Sequence, residues 1–207
     1  MPSLNQSERS PFLTLPNLLS VTRLVVILPE LYFASVGNAP AFLGLLCLAL
    51  FTDSIDGAIA RRLKQDTVLG AQLDSLGDLA TYSTLPICAW LLWPDIIRRE
   101  SVFVIMAILS YVAPVVVGLA RYRRVTSYHT WGAKASAVLM GAAVLVLFLD
   151  WSAWPFRIFT PFAALAGLEE IAITCTLPVW RANIPSLWHA IQVRHKLRSG
   201  LAEAASP

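Results

Sequence analysis

Residues 53–78 read DSIDGAIARRLKQDTVLGAQLDSLGD, and four of the five aspartates in this stretch stand in two closely spaced pairs: Asp53, Asp56, Asp74 and Asp78. The sequence on both sides is strongly apolar. An acidic side chain at membrane depth costs about 3 kcal/mol or more, so such residues mark functional sites by default. The interleaved Gly and Ala leave space around the acids. The pattern therefore predicts a cage for hard divalent cations.

The composition indicates an integral membrane protein. The chain has 207 residues, 57% of them hydrophobic, 14% charged, and a mean hydropathy of +0.63. Soluble domains carry about a quarter charged residues. A net charge of +3 does not suggest a nucleic-acid partner. The cysteines (Cys47, Cys88 and Cys175) lie in apolar segments without a CxxC pair, which argues against a disulfide framework or a zinc site.

Six segments have the length of about 20 residues that a bilayer requires. We expect an all-α integral membrane protein with six transmembrane helices around a cytoplasm-facing polar cavity. The helices are predicted at 16–36, 40–63, 68–93, 101–122, 133–153 and 156–178. The first lacks the features of a cleaved signal peptide, and we interpret it as a retained helix. The predicted organisation is a polar N-terminal tail (1–14), a six-helix domain (15–182) and a basic amphipathic C-terminal tail (183–207).

The distribution of positive charge predicts the orientation. With six spans, both termini and the 2–3 and 4–5 loops share one side, which holds 13 of the 16 Lys and Arg residues. The other side holds only Arg98, Arg99 and Arg157. The positive-inside rule then places both termini and the aspartates at the cytoplasmic face. Four tryptophans fall at the opposite interface, as in an aromatic belt: Trp90, Trp93, Trp151 and Trp154.

Helical periodicity brings the acidic residues onto two stripes. Asp53 and Asp56 share one face of the second helix, and Asp74 and Asp78 share one face of the third. A short polar turn joins the two helices, so we expect antiparallel neighbours whose acidic faces converge. Oxygen-only ligands suit Mg²⁺, Mn²⁺ or Ca²⁺. Four carboxylates can bridge two such ions, the arrangement used for phosphoryl chemistry.

The run resembles the signature of the CDP-alcohol phosphotransferases, Asp-x2-Asp-Gly-x2-Ala-Arg-x8-Gly-x3-Asp-x3-Asp. Every fixed position is filled within a 26-residue window of this chain. The six-helix layout and the cytoplasmic site are also similar to that family. The signature covers only the second and third helices.

The resemblance implies that a phosphoryl-linked group moves from a CDP-alcohol, here CDP-diacylglycerol, to an acceptor hydroxyl, with release of CMP. It implies two divalent cations, Mg²⁺ or Mn²⁺. Asp53, Asp56 and Asp74 would hold one ion, and Asp53, Asp74 and Asp78 the other. Asp78 would also be the general base. The CDP pocket would be lined by Gly57, Ala60, Arg61 and Gly70.

Further expectations follow from the same resemblance. Users of CDP-diacylglycerol often begin with a Pro-Asn-…-Arg stretch similar to Pro16-Asn17-…-Arg23, which would bring Asn17 and Arg23 to the nucleotide. Family members are commonly homodimers. The resemblance also implies a multi-pass location among membrane lipids, in a bacterial inner membrane.

The acceptor is predicted to be a small polar, phosphorylated alcohol, because cations lie on the side of the aspartates. Arg121, Arg124 and Lys134 are the candidates to bind its phosphate. Glycerol 3-phosphate is favoured, followed by inositol phosphate and then serine. The sequence departs from the Gly-Lys-x-Lys-Thr-like stretch of glycerol-phosphate users, since only Thr130-Trp-Gly-Ala-Lys134-Ala is present.

Two readings from other classes compete with the enzyme. An ion transporter would use the acids as a midplane site, but its acids would be distributed over repeats, and no repeat is visible here. A packing protein would use the small residues for close helix contacts, but four acids against one arginine on the same face leave too much charge unpaired. For the membrane-depth acids Glu30, Glu169 and Glu170 we expect either pairing with an arginine or a place facing a polar cavity, and the sequence does not decide between the two. It shows no dimer interface.

Overall fold

A computed structural model describes residues 15–63, 68–123, 128, 130–181 and 184–204. Within its helices, side chains are described except for those of 15–20, 53–63, 68–75 and 197–204. The described chain is all-helical and contains eight helices and no strand. It divides into two compact units, residues 1–94 and 95–207.

Three long helices form the first unit: α1 (Leu15–Ser35), α2 (Ala39–Leu63) and α3 (Val68–Leu92). The α1–α2 turn is tight because Gly37 adopts a φ of +73°, which an L side chain rarely adopts. The Asn38 side chain then accepts the N–H of Ala41 at 3.2 Å and caps the start of α2. Helix α1 packs against both α2 and α3. The core of this unit contains Ala34, Phe42, Leu46, Ala49, Cys88 and Ala89.

The second unit contains a short helix and four longer ones: α4 (Pro94–Arg99), α5 (Ser101–Tyr122), α6 (Trp131–Phe148), α7 (Trp154–Thr176) and α8 (Leu187–Ala204). Helix α7 packs against α5, α6 and α8. Its contact with α5 is close at Gly167, where a Cβ atom would lie 2.3 Å from the carbonyl oxygen of Ser110. Only glycine permits this backbone approach, so Gly167 sets the distance between α5 and α7.

The long helices agree with the six predicted segments, most of them to within two residues. The fifth prediction was wrong at its end, because α6 stops at Phe148 and not at 153. The chain turns there: Asp150 takes a positive φ of 53°, which Asp tolerates better than most residues. The sequence also missed α4, a single short helix that opens on Pro94.

Among the described residues, α5, α6 and α7 are long and apolar enough to cross a membrane. A shorter apolar segment, Ala39–Thr52, belongs to α2. Apolar side chains are exposed along α5 at helical spacing, as lipid-facing residues are: Val102, Ile105, Leu109, Val112, Val116 and Leu119. These findings agree with an integral membrane protein. Six spans and a cytoplasm-facing cavity stay predictions.

Candidate active site

The four aspartates lie on two uninterrupted helices. Asp53 and Asp56 belong to the second half of α2, and Asp74 and Asp78 to the first half of α3. Because each helix is continuous across its own pair of aspartates, the predicted i,i+3 and i,i+4 relations hold for the backbone. The other signature positions (Gly57, Ala60, Arg61 and Gly70) share these helices, and Asn17 is in the first turn of α1. Of all these residues, Asp78 is the one whose side chain is described, so convergence of the carboxylates stays a prediction.

Asp78 forms an ion pair with Arg23 of α1. The Arg23 Nη1 atom donates to Asp78 Oδ1 at 2.7 Å. The two side chains differ in burial, since that of Arg23 is 2% exposed and that of Asp78 is 32% exposed. Helices α1 and α3 pack together, which places the arginine behind the carboxylate. The carboxylate is therefore held from inside the unit and remains accessible.

Gly77 lies against this arginine. A Cβ atom at position 77 would lie 3.6 Å from Arg23 Nη1 and 3.7 Å from its Cδ and Cζ atoms. The guanidinium thus lies directly over the backbone of α3 next to Asp78. A buried arginine requires a paired charge, because an uncompensated ion in the interior costs several kcal/mol. Removing either partner of this pair is consequently more disruptive than removing a surface ion pair.

The sequence predicted that Arg23 faces the nucleotide. The structure brings together two predicted site residues, since the Arg23 guanidinium binds Asp78, the predicted general base. This contact was not predicted. The signal was present in the sequence as an arginine inside an apolar helix, which requires an acidic partner. The sequence could not choose that partner among the acids of the run.

The residues fit a hard divalent cation by the chemistry of their donors. All four signature acids offer carboxylate oxygens, which Mg²⁺ and Mn²⁺ prefer. Asp78, the one described, is partly exposed and therefore reachable from solvent. Among described side chains, no group of three or more His, Cys, Asp or Glu residues occurs. The side chains of Asp53, Asp56 and Asp74 are not among those described, so the two-cation site stays a prediction.

The candidate acceptor-binding residues belong to the second unit. Arg121 lies in the last turn of α5 and donates from Nη2 to the carbonyl oxygen of Leu177 at 3.2 Å. Lys134 is exposed in the first turn of α6, where Thr130 caps the helix by accepting the N–H of Ala133 at 3.1 Å. Arg124 lies outside the described residues. The acceptor role of all three stays a prediction.

The membrane-depth acids have three different surroundings. Glu169 Oε1 accepts the N–H of Leu187 at 3.1 Å and so caps α8. Glu30 is 4% exposed, and its Oε1 atom has no hydrogen-bond partner among the described residues. Glu170 is partly buried in α7 next to Glu169. One expectation was that these acids pair with an arginine. For Glu169, the partner in the structure is instead a backbone N–H at the start of the C-terminal helix.

The sequence did not pair Glu100 with Arg157. Arg157 donates from Nε and Nη2 to the two oxygens of Glu100, each at 2.7 Å. Arg99 adds a contact of 3.3 Å to Oε1. The Arg157 hydrogen bond, and then the charges of both arginines, lower the pKa of Glu100 although burial opposes the shift. The only signal was that all three residues were predicted on one side of the membrane.

Tyr128 anchors the chain between α5 and α6. Its hydroxyl lies 3.0 Å from Thr174 Oγ1 of α7, and the side chain is 1% exposed. Burial raises the pKa of Tyr128 to about 12, because the charged phenolate would lose its hydration. Tyr122 adds a second contact from its hydroxyl to the carbonyl oxygens of Thr174 and Leu177, each at 2.8 Å. The start of α6 is thus tied to the end of α7.

Comparison with known proteins gives a family and several relatives. A family model described as CDP-alcohol phosphatidyltransferase matches residues 13–179. A cardiolipin synthase (CMP-forming) of Streptomyces coelicolor is 30% identical over 201 residues, which cover 92% of this chain and 87% of the relative. A CDP-diacylglycerol–glycerol-3-phosphate 3-phosphatidyltransferase of Pseudomonas fluorescens is 26% identical over 185 residues, 84% of this chain and 92% of the relative.

Other relatives are longer than this chain. A CDP-diacylglycerol–serine O-phosphatidyltransferase of Mycobacterium bovis is 29% identical over 127 residues, which cover 61% of this chain. The match spans 43% of the length of that relative. No solved structure matches the chain.

Proposed function

Because the chain belongs to the CDP-alcohol phosphatidyltransferase family, we propose that it is an enzyme of phospholipid synthesis. It transfers a phosphatidyl group from CDP-diacylglycerol to the hydroxyl of a polar alcohol and releases CMP. The observation that carries the proposal is Asp78, the last acid of a complete signature, which an internal arginine holds at 2.7 Å while leaving it accessible. A carboxylate that is both held in place and accessible can take a proton from a bound acceptor.

In the proposed reaction, the acceptor oxygen attacks the phosphorus that carries the diacylglycerol. A new P–O bond forms to the acceptor, the bond to the bridging diphosphate oxygen breaks, and CMP leaves with that oxygen and the bonding electron pair. The acceptor proton passes to the Asp78 carboxylate, which acts as the general base. Arg23 keeps one carboxylate oxygen in place during this transfer. Gly57, Ala60, Arg61, Gly70 and Asn17 would line the pocket for the CDP moiety.

Two divalent cations, Mg²⁺ or Mn²⁺, would be held by the four signature acids, Asp53, Asp56, Asp74 and Asp78. When bound, they neutralise charge on the diphosphate and on the departing CMP. The donor set supports this assignment, since it consists of carboxylates alone. We extend the proposal to a homodimer in a bacterial inner membrane, with both termini and the site on the cytoplasmic side, where most cations of the chain fall.

Glycerol 3-phosphate is the acceptor that we favour. Its phosphate would bind Lys134, Arg121 and Arg124, which supply positive charge on the predicted side of the site. A relative named for this acceptor aligns over 84% of this chain. Serine and inositol phosphate are the alternatives within the same chemistry.

A second candidate function is the CMP-forming synthesis of cardiolipin. It is favoured by one observation, the identity of 30% with such a synthase over 92% of this chain. The donor and the released CMP would be the same, so the two candidates differ only in the acceptor. The basic residues of the second unit suit a phosphate in either acceptor.

The test is a CMP-release assay on the purified full chain in lipid nanodiscs. CDP-diacylglycerol is supplied with Mg²⁺ or Mn²⁺ and, one at a time, glycerol 3-phosphate, phosphatidylglycerol, serine or inositol phosphate. We expect metal-dependent CMP release with glycerol 3-phosphate, which EDTA abolishes. Release with phosphatidylglycerol alone would select the second candidate. No release with any of the four acceptors, from protein that is folded by circular dichroism, would overturn the proposal.

Lys134→Ala tests the acceptor site. We expect the KM for glycerol 3-phosphate to rise roughly tenfold with little change in the KM for CDP-diacylglycerol, because a charge-assisted contact to the acceptor is lost. Arg98→Ala, which removes an exposed cation from the opposite predicted side, is the matched control and keeps both constants. An unchanged acceptor KM in the Lys134 variant would remove this residue from the acceptor site.

A further inference from the structure

The C-terminal helix α8 is fixed to the second unit through one of its faces. Glu169 of α7 caps its first turn by accepting the N–H of Leu187 at 3.1 Å. Ala190, on the same face, is fully buried in a cluster with Tyr128, Ile173, Leu177 and Ile184. Leu187 and Val193 pack against this cluster. The first two turns of α8 therefore have a defined position beside the end of α7.

A different face of α8 exposes large apolar side chains. Trp188 is 65% exposed and Ile191 is 39% exposed. They are three residues apart, so they share a face of the helix, and exposed His195 follows four residues later. A tryptophan with this exposure is typical of a membrane interface, where the apolar ring and the polar N–H are both accommodated.

Positive charge follows the apolar residues along the same helix. Arg194 and Lys196 are both exposed and lie one to two turns beyond Trp188. At a rise of about 1.5 Å per residue, they are roughly 9–12 Å from Trp188 along the axis. A tryptophan and cations this close along one helix can reach the same bilayer surface, with the ring at the boundary of the acyl chains and the long basic side chains at the phosphates.

We propose that α8 binds anionic phospholipid at the bilayer surface, with the exposed side chains of Trp188 and Ile191 at the boundary of the acyl chains and the flanking Arg194 and Lys196 reaching the headgroup phosphates. The occupant follows from charge and position. The helix combines exposed apolar residues with exposed cations that flank them, and α8 begins against α7, a helix able to cross the membrane. Each cation near an anionic surface contributes a roughly fivefold preference for that surface. The inference does not depend on the reaction that the protein catalyses.

Fluorescence quenching by brominated lipids tests this inference on the full chain in nanodiscs. The chain has seven tryptophans, so the Trp188 component is obtained as the difference between wild type and Trp188→Phe. We compare brominated phosphatidylglycerol with brominated phosphatidylcholine at equal molar fraction. Brominated phosphatidylglycerol should quench the Trp188 component severalfold more strongly at low salt. High salt should reduce this preference, because exposed charges are screened.

Charge variants separate lipid contact from lipid selection. The double variant Arg194→Gln/Lys196→Gln should keep the quenching of Trp188 but lose most of the preference for phosphatidylglycerol. Arg98→Gln, an exposed arginine outside α8, should keep that preference. The difference between wild type and Trp151→Phe gives the fluorescence of a second tryptophan, which is 77% exposed. The quenching of Trp151 should not change in the double variant.

Two results would overturn the proposal. If neither lipid quenches the Trp188 component, this face does not contact the bilayer, and chemical cross-linking between copies would then identify a second chain as its occupant. If both lipids quench it equally and the charge variants change nothing, α8 contacts lipid without recognising anionic headgroups. Circular dichroism of the variants excludes loss of the helix as the cause.

Discussion

Two arginine–carboxylate pairs, one in each unit, are built in opposite ways. In the first unit the cation is inside, since the Arg23 side chain is 2% exposed and that of Asp78 is 32% exposed. In the second unit the acid is inside, since Glu100 is 1% exposed and Arg157 is 35% exposed. Both oxygens of Glu100 are held, by two nitrogens of Arg157 and one of Arg99.

This difference distinguishes a carboxylate that can react from one that stabilises structure. A reactive carboxylate must reach a cation or a proton, so its partner supports it from behind. A structural carboxylate is satisfied on both oxygens and withdrawn from solvent, because a buried acid with an unmet oxygen is costly. We therefore expect changes at Asp78 and Arg23 to affect catalysis, and changes at Glu100 and its surroundings to affect stability.

The largest expected effect is that of Asp78→Asn. CMP release should fall by roughly 10³-fold, because an amide can accept the Arg23 hydrogen bond but cannot accept a proton from the substrate. The measurement is kcat for CMP release at saturating substrates. Glu100→Gln makes the same chemical change in the other pair and should retain the kcat of the folded protein. Equal losses in both variants would remove the distinction between the two pairs.

Arg23 gives a sharper test, because its predicted and observed surroundings imply different kinetics. If Arg23 positions Asp78, Arg23→Gln should lower kcat by roughly 10²-fold with a smaller change in the KM for CDP-diacylglycerol. Arg23→Lys should recover part of the loss, since a lysine keeps a positive charge beside Asp78. A raised donor KM with an unchanged kcat would instead assign Arg23 to the nucleotide, as the sequence predicted.

Packing in the second unit should respond to a single methyl group. Gly167→Ala would place a Cβ atom 2.3 Å from the carbonyl oxygen of Ser110, so α5 and α7 must separate. Overpacking of this kind typically costs about 1–3 kcal/mol. We expect a lower Tm in detergent. Gly44→Ala is the matched control, because its added Cβ meets no described atom within 4 Å; a similar loss there would show that the effect is not steric.

The smallest expected effect is the pH dependence of the Glu100 pair. Glu100→Gln should lower Tm by a few degrees near neutral pH. Hydrogen bonds from Arg157 lower the pKa of Glu100 below its ordinary value of 4.5, so the carboxylate stabilises the folded state above that value. The contribution is lost as the pH falls from about 4.5 through the lower folded pKa. The Tm difference between wild type and variant should therefore narrow in acid; a constant difference would contradict the charged pair.

Most of the helical framework could be predicted, because apolar length and charge placement act locally along the chain. Six of the seven long helices correspond to predicted segments, and the one that differs at its end, α6, is followed by a left-handed residue, Asp150. Helix α4 was missed because six residues are too few to show a helical periodicity of apolar side chains. The aspartate spacing could be read in the same way, since helix geometry alone puts Asp74 and Asp78 on one face.

Partners across helices could not be predicted in this way. Arg23 and Asp78 are 55 positions apart, and Glu100 and Arg157 are 57 apart. The sequence offers several possible acidic partners for each arginine. The packing of α1 on α3 and of α5 on α7 determines which of them is in contact. The capping of α8 by Glu169 has the same origin, because the two groups belong to different helices and are 18 positions apart.

By itself, the sequence determined that the chain is helical and suited to a membrane, and that two helices carry the acids of a metal-dependent transferase signature. These properties depend on residue type and spacing, which are local. The tertiary structure decided which charges are buried and which stay accessible, because burial depends on the helices that pack around a residue. For that reason only the packed chain shows that Arg23 supports Asp78 from behind, and that Trp188 and Ile191 of α8 are exposed while Ala190 is buried.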